Sequence, residues 1–178
     1  MFARVLAKLF GGKGMPTVAV GQIAPPLELA GVDGKKYSLQ AALAQGPVLA
    51  VFFKVSCPTC QYTFPFLERL HQQFRTTPVQ IWGISQDNAR DTQQFTREFG
   101  VTFPILIDAD PYAASLEYGL KYVPTMFLVS SEGQVELSGD GFCKVDLLEV
   151  QKWVAKRLSV TPGELFTPGE RVPEYKPG

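Results

Sequence analysis

Residues 52–60 read Phe-Phe-Lys-Val-Ser-Cys-Pro-Thr-Cys, and they join an apolar run to a segment with helical periodicity. The run 48–53 is continuously apolar, which is typical of a buried strand. After Cys60, apolar residues recur every three or four positions as far as Phe74, which predicts an amphipathic helix that ends near Arg75. The two cysteines therefore lie between a buried strand and a helix.

The start of a helix is a favourable position for a reactive sulfur. Its first turn carries free backbone N–H groups and the positive end of the helix dipole, both of which stabilise a thiolate. Cys57 lies at or just before this turn, and Pro58 suits it because proline lacks an N–H. Cys60 lies one turn further along, near enough to form a disulfide. We therefore predict a redox pair in which Cys57 attacks and Cys60 resolves the mixed disulfide, with no organic cofactor.

Composition excludes several classes of protein. A length of 178 residues favours one domain, and 17 basic residues balance 17 acidic ones, so no net charge favours nucleic acid. The chain has three cysteines, and Cys143 is left over from the pair, which excludes a disulfide framework. A zinc site would need more ligands than Cys143 and His71 supply, and His71 lies about 16 Å along the same helix. We predict no metal site.

The remaining pattern alternates strands and helices. It predicts an α/β protein with a mixed sheet, because strand–helix units are followed by a hairpin and a last helix. The predicted strands are 27–29, 36–37, 48–53, 79–85, 103–107, 125–129 and 134–137. The predicted helices are 39–44, one that runs from the cysteine pair to about 75, 92–99, 111–118 and 144–158.

The two ends differ from this pattern. Residues 2–10 have one apolar helical face, but Arg4 and Lys8 interrupt the run, so the match to a secretory signal is poor. We therefore expect a cytoplasmic protein by default, with contact of residues 2–10 with a membrane surface, or a periplasmic location, as alternatives. Residues 159–178 are rich in proline and glycine and predict an extended tail. The expected organisation is thus an N-terminal segment 1–20, a domain 21–158 and a tail 159–178.

Three stretches together resemble the thioredoxin-like superfamily, in its alkyl hydroperoxide reductase/thiol-specific antioxidant (redoxin) branch. They are the strand–CxxC–helix unit, the stretch 103–108 (Phe-Pro-Ile-Leu-Ile-Asp), and the stretch 122–125 (Tyr-Val-Pro-Thr) before an apolar strand. The resemblance implies a mixed central sheet flanked by helices, with an N-terminal hairpin extension. It also implies exchange with protein thiols and disulfides, and an electron donor or acceptor that the sequence does not identify. The sequence leaves the oligomeric state open.

The resemblance also implies roles for individual residues. Pro124 would be a cis proline facing the cysteine pair, and the backbone of Val123, with Pro58 and Thr59, would bind a substrate peptide. Two further residues are candidates for an auxiliary role. Lys54 could assist the thiolate or be merely solvated, and Cys143, beside the loop near the proline, could react with partners or be a half-buried thiol.

The chain departs from the family pattern at informative positions. Thioredoxin has a buried Asp where this chain has Val51, and related reductases often have a Glu where it has Thr63. The peroxiredoxin pattern P-x-x-x-[ST]-x-x-C, counted back from Cys57, meets Lys54 and Ala50 instead of the hydroxyl and the proline. We therefore favour a thiol–disulfide oxidoreductase. A peroxiredoxin-like peroxidase and a redox-inert binding module remain the alternatives.

Overall fold

The computed structural model describes residues 16–178. In chain order its elements are β1 (Glu28–Ala30), β2 (Lys36–Ser38), α1 (Leu39–Leu43), β3 (Val48–Phe53), α2 (Pro58–Phe74), β4 (Gln80–Ser85), α3 (Ala89–Glu98), β5 (Ile105–Ile107), α4 (Ala113–Glu117), β6 (Thr125–Val129), β7 (Val135–Asp140), β8 (Phe142–Cys143), α5 (Lys144–Leu158) and β9 (Tyr175–Lys176). Within the described residues, no helix is long and apolar enough to cross a bilayer.

The central sheet has five strands in the order β5-β4-β3-β6-β7. Strand β3 lies in its middle, parallel to β4 and antiparallel to β6, and all six of its residues are buried. Burial on both faces explains why its sequence is continuously apolar instead of alternating. The parallel and antiparallel pairings together make the sheet mixed, as predicted.

Helices cover both faces of this sheet. On one face, α2 and α5 pack over an aromatic cluster in which the Phe64 ring lies 4.4 Å from Phe53 and 5.0 Å from Phe95, between ring centroids. On the other face, α1 and the β1–β2 hairpin cover a second cluster that contains Phe52, Trp82 and other apolar residues. Helix α2, which contains Cys60, is therefore packed on the sheet through buried aromatic rings.

Two predicted helices differ from the observed ones at their first turns. Helix α3 begins at Ala89 instead of residue 92, because the side chain of Asn88 accepts a hydrogen bond from the Asp91 N–H at 2.9 Å and caps the helix. The helix predicted over 111–118 is only Ala113–Glu117. Its first free N–H groups are bound by the buried carboxylate of Asp108, at 3.1 Å from Ala114 N and 2.8 Å from Ser115 N.

Other predictions are confirmed. Helix α5 has the predicted bounds, and β6 and β7 pair as the predicted hairpin, which continues to Asp140. The extended tail lies along the domain and adds strand β9 beside β8. The segment 2–10 lies outside the described residues, so its contact with a membrane surface stays a prediction.

Candidate active site

Cys57 is the residue that caps helix α2. Its backbone is extended (φ −78°, ψ 115°), Pro58 follows as the first helical residue, and its Sγ accepts a hydrogen bond from the Cys60 N–H at 3.1 Å. Helix caps are usually oxygen acceptors of Ser, Thr, Asp or Asn, and here a sulfur takes that place. A backbone N–H therefore points directly at the predicted attacking sulfur.

Cys60 lies one turn further along and is completely buried. Burial raises the pKa of its thiol, and the neighbouring Cys57 side chain acts in the same direction, whereas a backbone hydrogen bond from Lys54 opposes them. All three cysteines are free thiols in this structure. Cys60 is thus a protonated, shielded thiol at neutral pH, while Cys57 is partly exposed.

The loop before β6 closes the other side of the pair. The peptide bond between Val123 and Pro124 is cis, as the resemblance implied, and the Val123 carbonyl accepts a hydrogen bond from Cys57 Sγ at 3.4 Å. The Pro124 carbonyl accepts a hydrogen bond from Gly141 N at 2.8 Å, which ties this loop to the turn between β7 and β8. The structure therefore brings together Cys57 and Val123, which lie 66 positions apart in the sequence.

Positions 51 and 63, where related proteins have an Asp and a Glu, hold no carboxylate here. Val51 is buried in β3, and the buried Thr63 donates its hydroxyl proton to the Thr59 carbonyl at 2.7 Å. The hydroxyl of Thr63 is thus committed to the backbone of its own helix.

Two residues that sequence reasoning missed hold the segment before Cys57. Asp87 accepts a hydrogen bond from the Val55 N–H at 2.7 Å, and the side-chain amide of Gln61 donates to the Val55 carbonyl at 2.8 Å. Asp87 follows the carboxyl end of β4, next to the carboxyl end of β3. Functional loops of parallel sheets meet at that edge, which is the signal that could have found Asp87.

The auxiliary positions lie in different surroundings. The exposed Lys54 places its ammonium 6.0 Å from the ring centroid of Tyr112. Cys143 is half-buried and pairs with Tyr175 in the β8–β9 ladder. Among residues 16–178, no group of three or more potential ligands is arranged to hold a metal ion.

Thr59 is covered by the tail, a contact that the sequence did not predict. Only 8% of Thr59 is exposed, and its hydroxyl donates a hydrogen bond to the Pro177 carbonyl at 2.6 Å. The dipeptide between the cysteines therefore contacts a residue 118 positions away in the chain.

The difference in burial predicts different reactivity of the two cysteines. At pH 7, iodoacetamide should modify Cys60 of the reduced protein at least about 100-fold more slowly than Cys57, because only the deprotonated and accessible sulfur reacts. Since burial raises the pKa of Cys60, its modification should accelerate with rising pH. Mass spectrometry of modified peptides measures both rates. In guanidinium chloride the two rates should converge, and equal rates in the folded protein would contradict the prediction.

The sequence matches a known protein family and its relatives. The AhpC/TSA family matches residues 20–138. The thiol-disulfide oxidoreductase ResA of Geobacillus thermodenitrificans (strain NG80-2) is 29% identical over 120 residues, which cover 67% of this chain and 68% of that protein.

Solved structures support the fold. The thioredoxin domain of a thiol-disulfide oxidoreductase from Bacteroides vulgatus gives a TM-score of 0.69 at 23% identity, covering 80% of this chain and 99% of that domain. Peroxidoxin BcpB from Mycobacterium tuberculosis gives a TM-score of 0.65 at 18% identity, covering 78% of this chain and 97% of the other. At these identities the likeness concerns the fold alone, and it confirms the thioredoxin-like fold. Because the family match spans more than half of the sequence, the chain belongs to the AhpC/TSA family.

Proposed function

We propose that this protein is a thiol–disulfide oxidoreductase that exchanges disulfides with protein substrates through Cys57 and Cys60. The observation that carries the proposal is the position of Cys57 Sγ, which caps α2, accepts the Cys60 N–H and contacts the Val123 carbonyl. ResA, a relative over two thirds of the chain, is named for the same activity.

The first step is attack of the Cys57 thiolate on one sulfur of a substrate disulfide. A bond forms between Cys57 Sγ and that sulfur, the substrate S–S bond breaks, and the other substrate sulfur leaves as a thiolate. The Cys60 N–H and the positive end of the α2 dipole stabilise the negative charge on Cys57 before the attack.

The second step is attack of Cys60 on Cys57 Sγ. Cys60 first loses its proton, and because positions 51 and 63 hold no carboxylate, we assign that proton to the leaving substrate thiolate or to solvent. The Cys57–Cys60 disulfide forms, the bond between Cys57 Sγ and the substrate breaks, and the second substrate sulfur leaves as a thiolate, so that two electrons have passed to the substrate. The same steps in reverse oxidise a substrate dithiol, and a partner dithiol or disulfide restores the pair.

The binding groove for a protein substrate lies beside Cys57. The backbone of Val123 and the dipeptide Pro58-Thr59 border the sulfur, and an extended segment could pair with this edge as an added strand. Pro124 shapes the same wall. We therefore place substrate recognition at the backbone, which is consistent with a protein disulfide instead of one small molecule.

A peroxidase is the alternative that membership of the AhpC/TSA family keeps open. Peroxide activation needs a hydroxyl three residues before the reactive cysteine. That position holds Lys54 here, and its ammonium lies by the Tyr112 ring. The residues around Cys57 therefore favour disulfide exchange.

Two assays separate the candidates. The protein should accelerate the reduction of insulin by dithiothreitol, followed as precipitation of the insulin B chain, and should leave hydrogen peroxide at sub-millimolar concentration unconsumed. Peroxide consumption without insulin reduction would favour the peroxidase. Failure of both assays with a folded protein would contradict the proposal and favour a redox-inert binding module.

A further inference from the structure

The tail is anchored on the outer side of α2 before it reaches the cysteines. Leu165 is 2% exposed, and its carbonyl accepts a hydrogen bond from Arg69 Nη1 at 3.1 Å. The ring of Phe166 lies 5.1 Å from that of Phe66, between centroids. These contacts bury apolar surface and fix the path of the following residues.

A bidentate ion pair forms a second anchor. The two terminal guanidinium nitrogens of Arg69, Nη1 and Nη2, donate to the two carboxylate oxygens of Glu170, each at 2.8 Å. This pairing, with a hydrogen bond from the Thr167 N–H, lowers the pKa of Glu170 to about 2. The carboxylate is therefore charged above pH 4.5, and the contact is lost only as the pH falls toward 2.

Beyond this anchor, residues 174–178 run into the groove beside Cys57; we call them the tail strand. The Glu174 carbonyl accepts a hydrogen bond from Lys144 N at 3.0 Å, and Tyr175 and Lys176 pair with β8 in antiparallel register. The Pro177 carbonyl then accepts the hydroxyl proton of Thr59. Gly178 lies so close to the Val123 carbonyl that a Cβ on it would clash.

The tail strand thus contacts both residues that the proposed function assigns to a substrate, Thr59 through its side-chain hydroxyl and Val123 at its backbone carbonyl. Its side chains also meet residues of this surface, since the Lys176 ammonium lies 5.2 Å from the Tyr62 ring and the Tyr175 hydroxyl donates to Asp140 at 3.1 Å. It carries no cysteine and so cannot react with the pair. It has the geometry of a bound peptide without the reactive group.

We propose that the tail strand is a displaceable, unreactive occupant of the substrate groove, and that an extended segment of a protein disulfide must replace it along β8 and Val123. The inference rests on the proposed function. Displacement needs only local opening, because the ladder has two residue pairs and the anchors at Leu165 and Glu170 keep the strand tethered. Small disulfides, which need no groove, reach the partly exposed Cys57 without this opening.

The test uses a protein in which Cys57 is the sole thiol, with Cys60→Ser and Cys143→Ser. In this background Lys176→Pro removes a backbone N–H from the middle of the tail strand, whereas Lys176→Ala keeps it and serves as the matched control. The probes are an eight-residue peptide with one cysteine activated as a 2-thiopyridyl disulfide, and 2,2′-dithiodipyridine as a small disulfide. Release of thiopyridone gives the rate for each.

Lys176→Pro should raise the peptide rate at least about tenfold, because the bound tail strand leaves only a small fraction of molecules with a groove free to bind the peptide. The same substitution should change the small-disulfide rate less than about twofold. Lys176→Ala should remain within about threefold of the parent for both probes. Deletion of residues 174–178 should repeat the result of Lys176→Pro, and a thermal unfolding curve checks that each variant is folded.

The inference would be overturned if Lys176→Pro and the deletion of residues 174–178 were both folded and both left the peptide rate unchanged. Equal acceleration of both probes would also overturn it, because the tail would then shield the sulfur itself and not the groove. Failure of the proposed function has a different signature. The probes would react with Cys57 as expected, whereas the protein with its native cysteines would reduce no insulin, with or without the tail strand.

Discussion

Cys57→Ser should abolish insulin reduction, lowering the catalysed rate by at least about 10³-fold, because a serine hydroxyl at neutral pH cannot replace a thiolate as nucleophile. Its oxygen can still accept the Cys60 N–H and cap α2, so the fold should survive. The turbidity assay with insulin measures the loss, and circular dichroism checks the fold.

The same substitution at the second cysteine is the matched control. Cys60→Ser should also stop turnover, but it should accumulate a mixed disulfide between Cys57 and the substrate, visible by non-reducing mass spectrometry. The two variants thus separate attack from resolution. A Cys57→Ser protein that forms such an adduct through Cys60 would reverse our assignment of the roles.

Phe64→Ala should lower the free energy of unfolding by about 3–5 kcal/mol. Phe64 is completely buried, and its ring contacts the rings of Phe53, Phe95 and Phe103 at centroid distances of 4.4, 5.0 and 5.8 Å. Truncation removes this apolar contact and leaves a cavity between α2 and the sheet. Urea denaturation followed by circular dichroism measures the change.

An exposed apolar residue provides the comparison. Leu116 is 65% exposed, so Leu116→Ala should change the free energy of unfolding by no more than about 0.5 kcal/mol. A loss below about 1 kcal/mol for Phe64→Ala would show that the aromatic cluster repacks without a cavity, and would contradict our account of how α2 is held.

Local sequence signals predicted the centre of the fold well. The apolar run of β3 and the helical periodicity after Cys60 are strong because all of β3 and one continuous face of α2 are buried. The cis peptide bond before Pro124 and the closeness of Val123 to the cysteine pair were predicted from resemblance to the redoxin family. No periodic pattern places a carbonyl beside a sulfur 66 positions away.

Contacts made by single polar groups were harder to predict. Asn88 caps α3, which begins three residues before its predicted start, and Asp108 binds N–H groups of α4 through a buried carboxylate. The path of the tail depends on Leu165, on the Arg69–Glu170 pair and on hydrogen bonds to backbone carbonyl groups. None of these contacts follows from a periodic pattern in the sequence. A proline-rich composition predicts extension but does not indicate the surface on which the segment lies.

The sulfur of Cys57 has two tasks that draw on the same lone pairs. In the dithiol it terminates α2 by accepting the Cys60 amide proton, and during exchange it must form covalent bonds. Each redox cycle therefore changes the hydrogen bonding of the first turn of α2 as well as the covalent bonding of the sulfur. The Cys60 amide is consequently a built-in reporter, whose environment follows the oxidation state of the pair without any added probe.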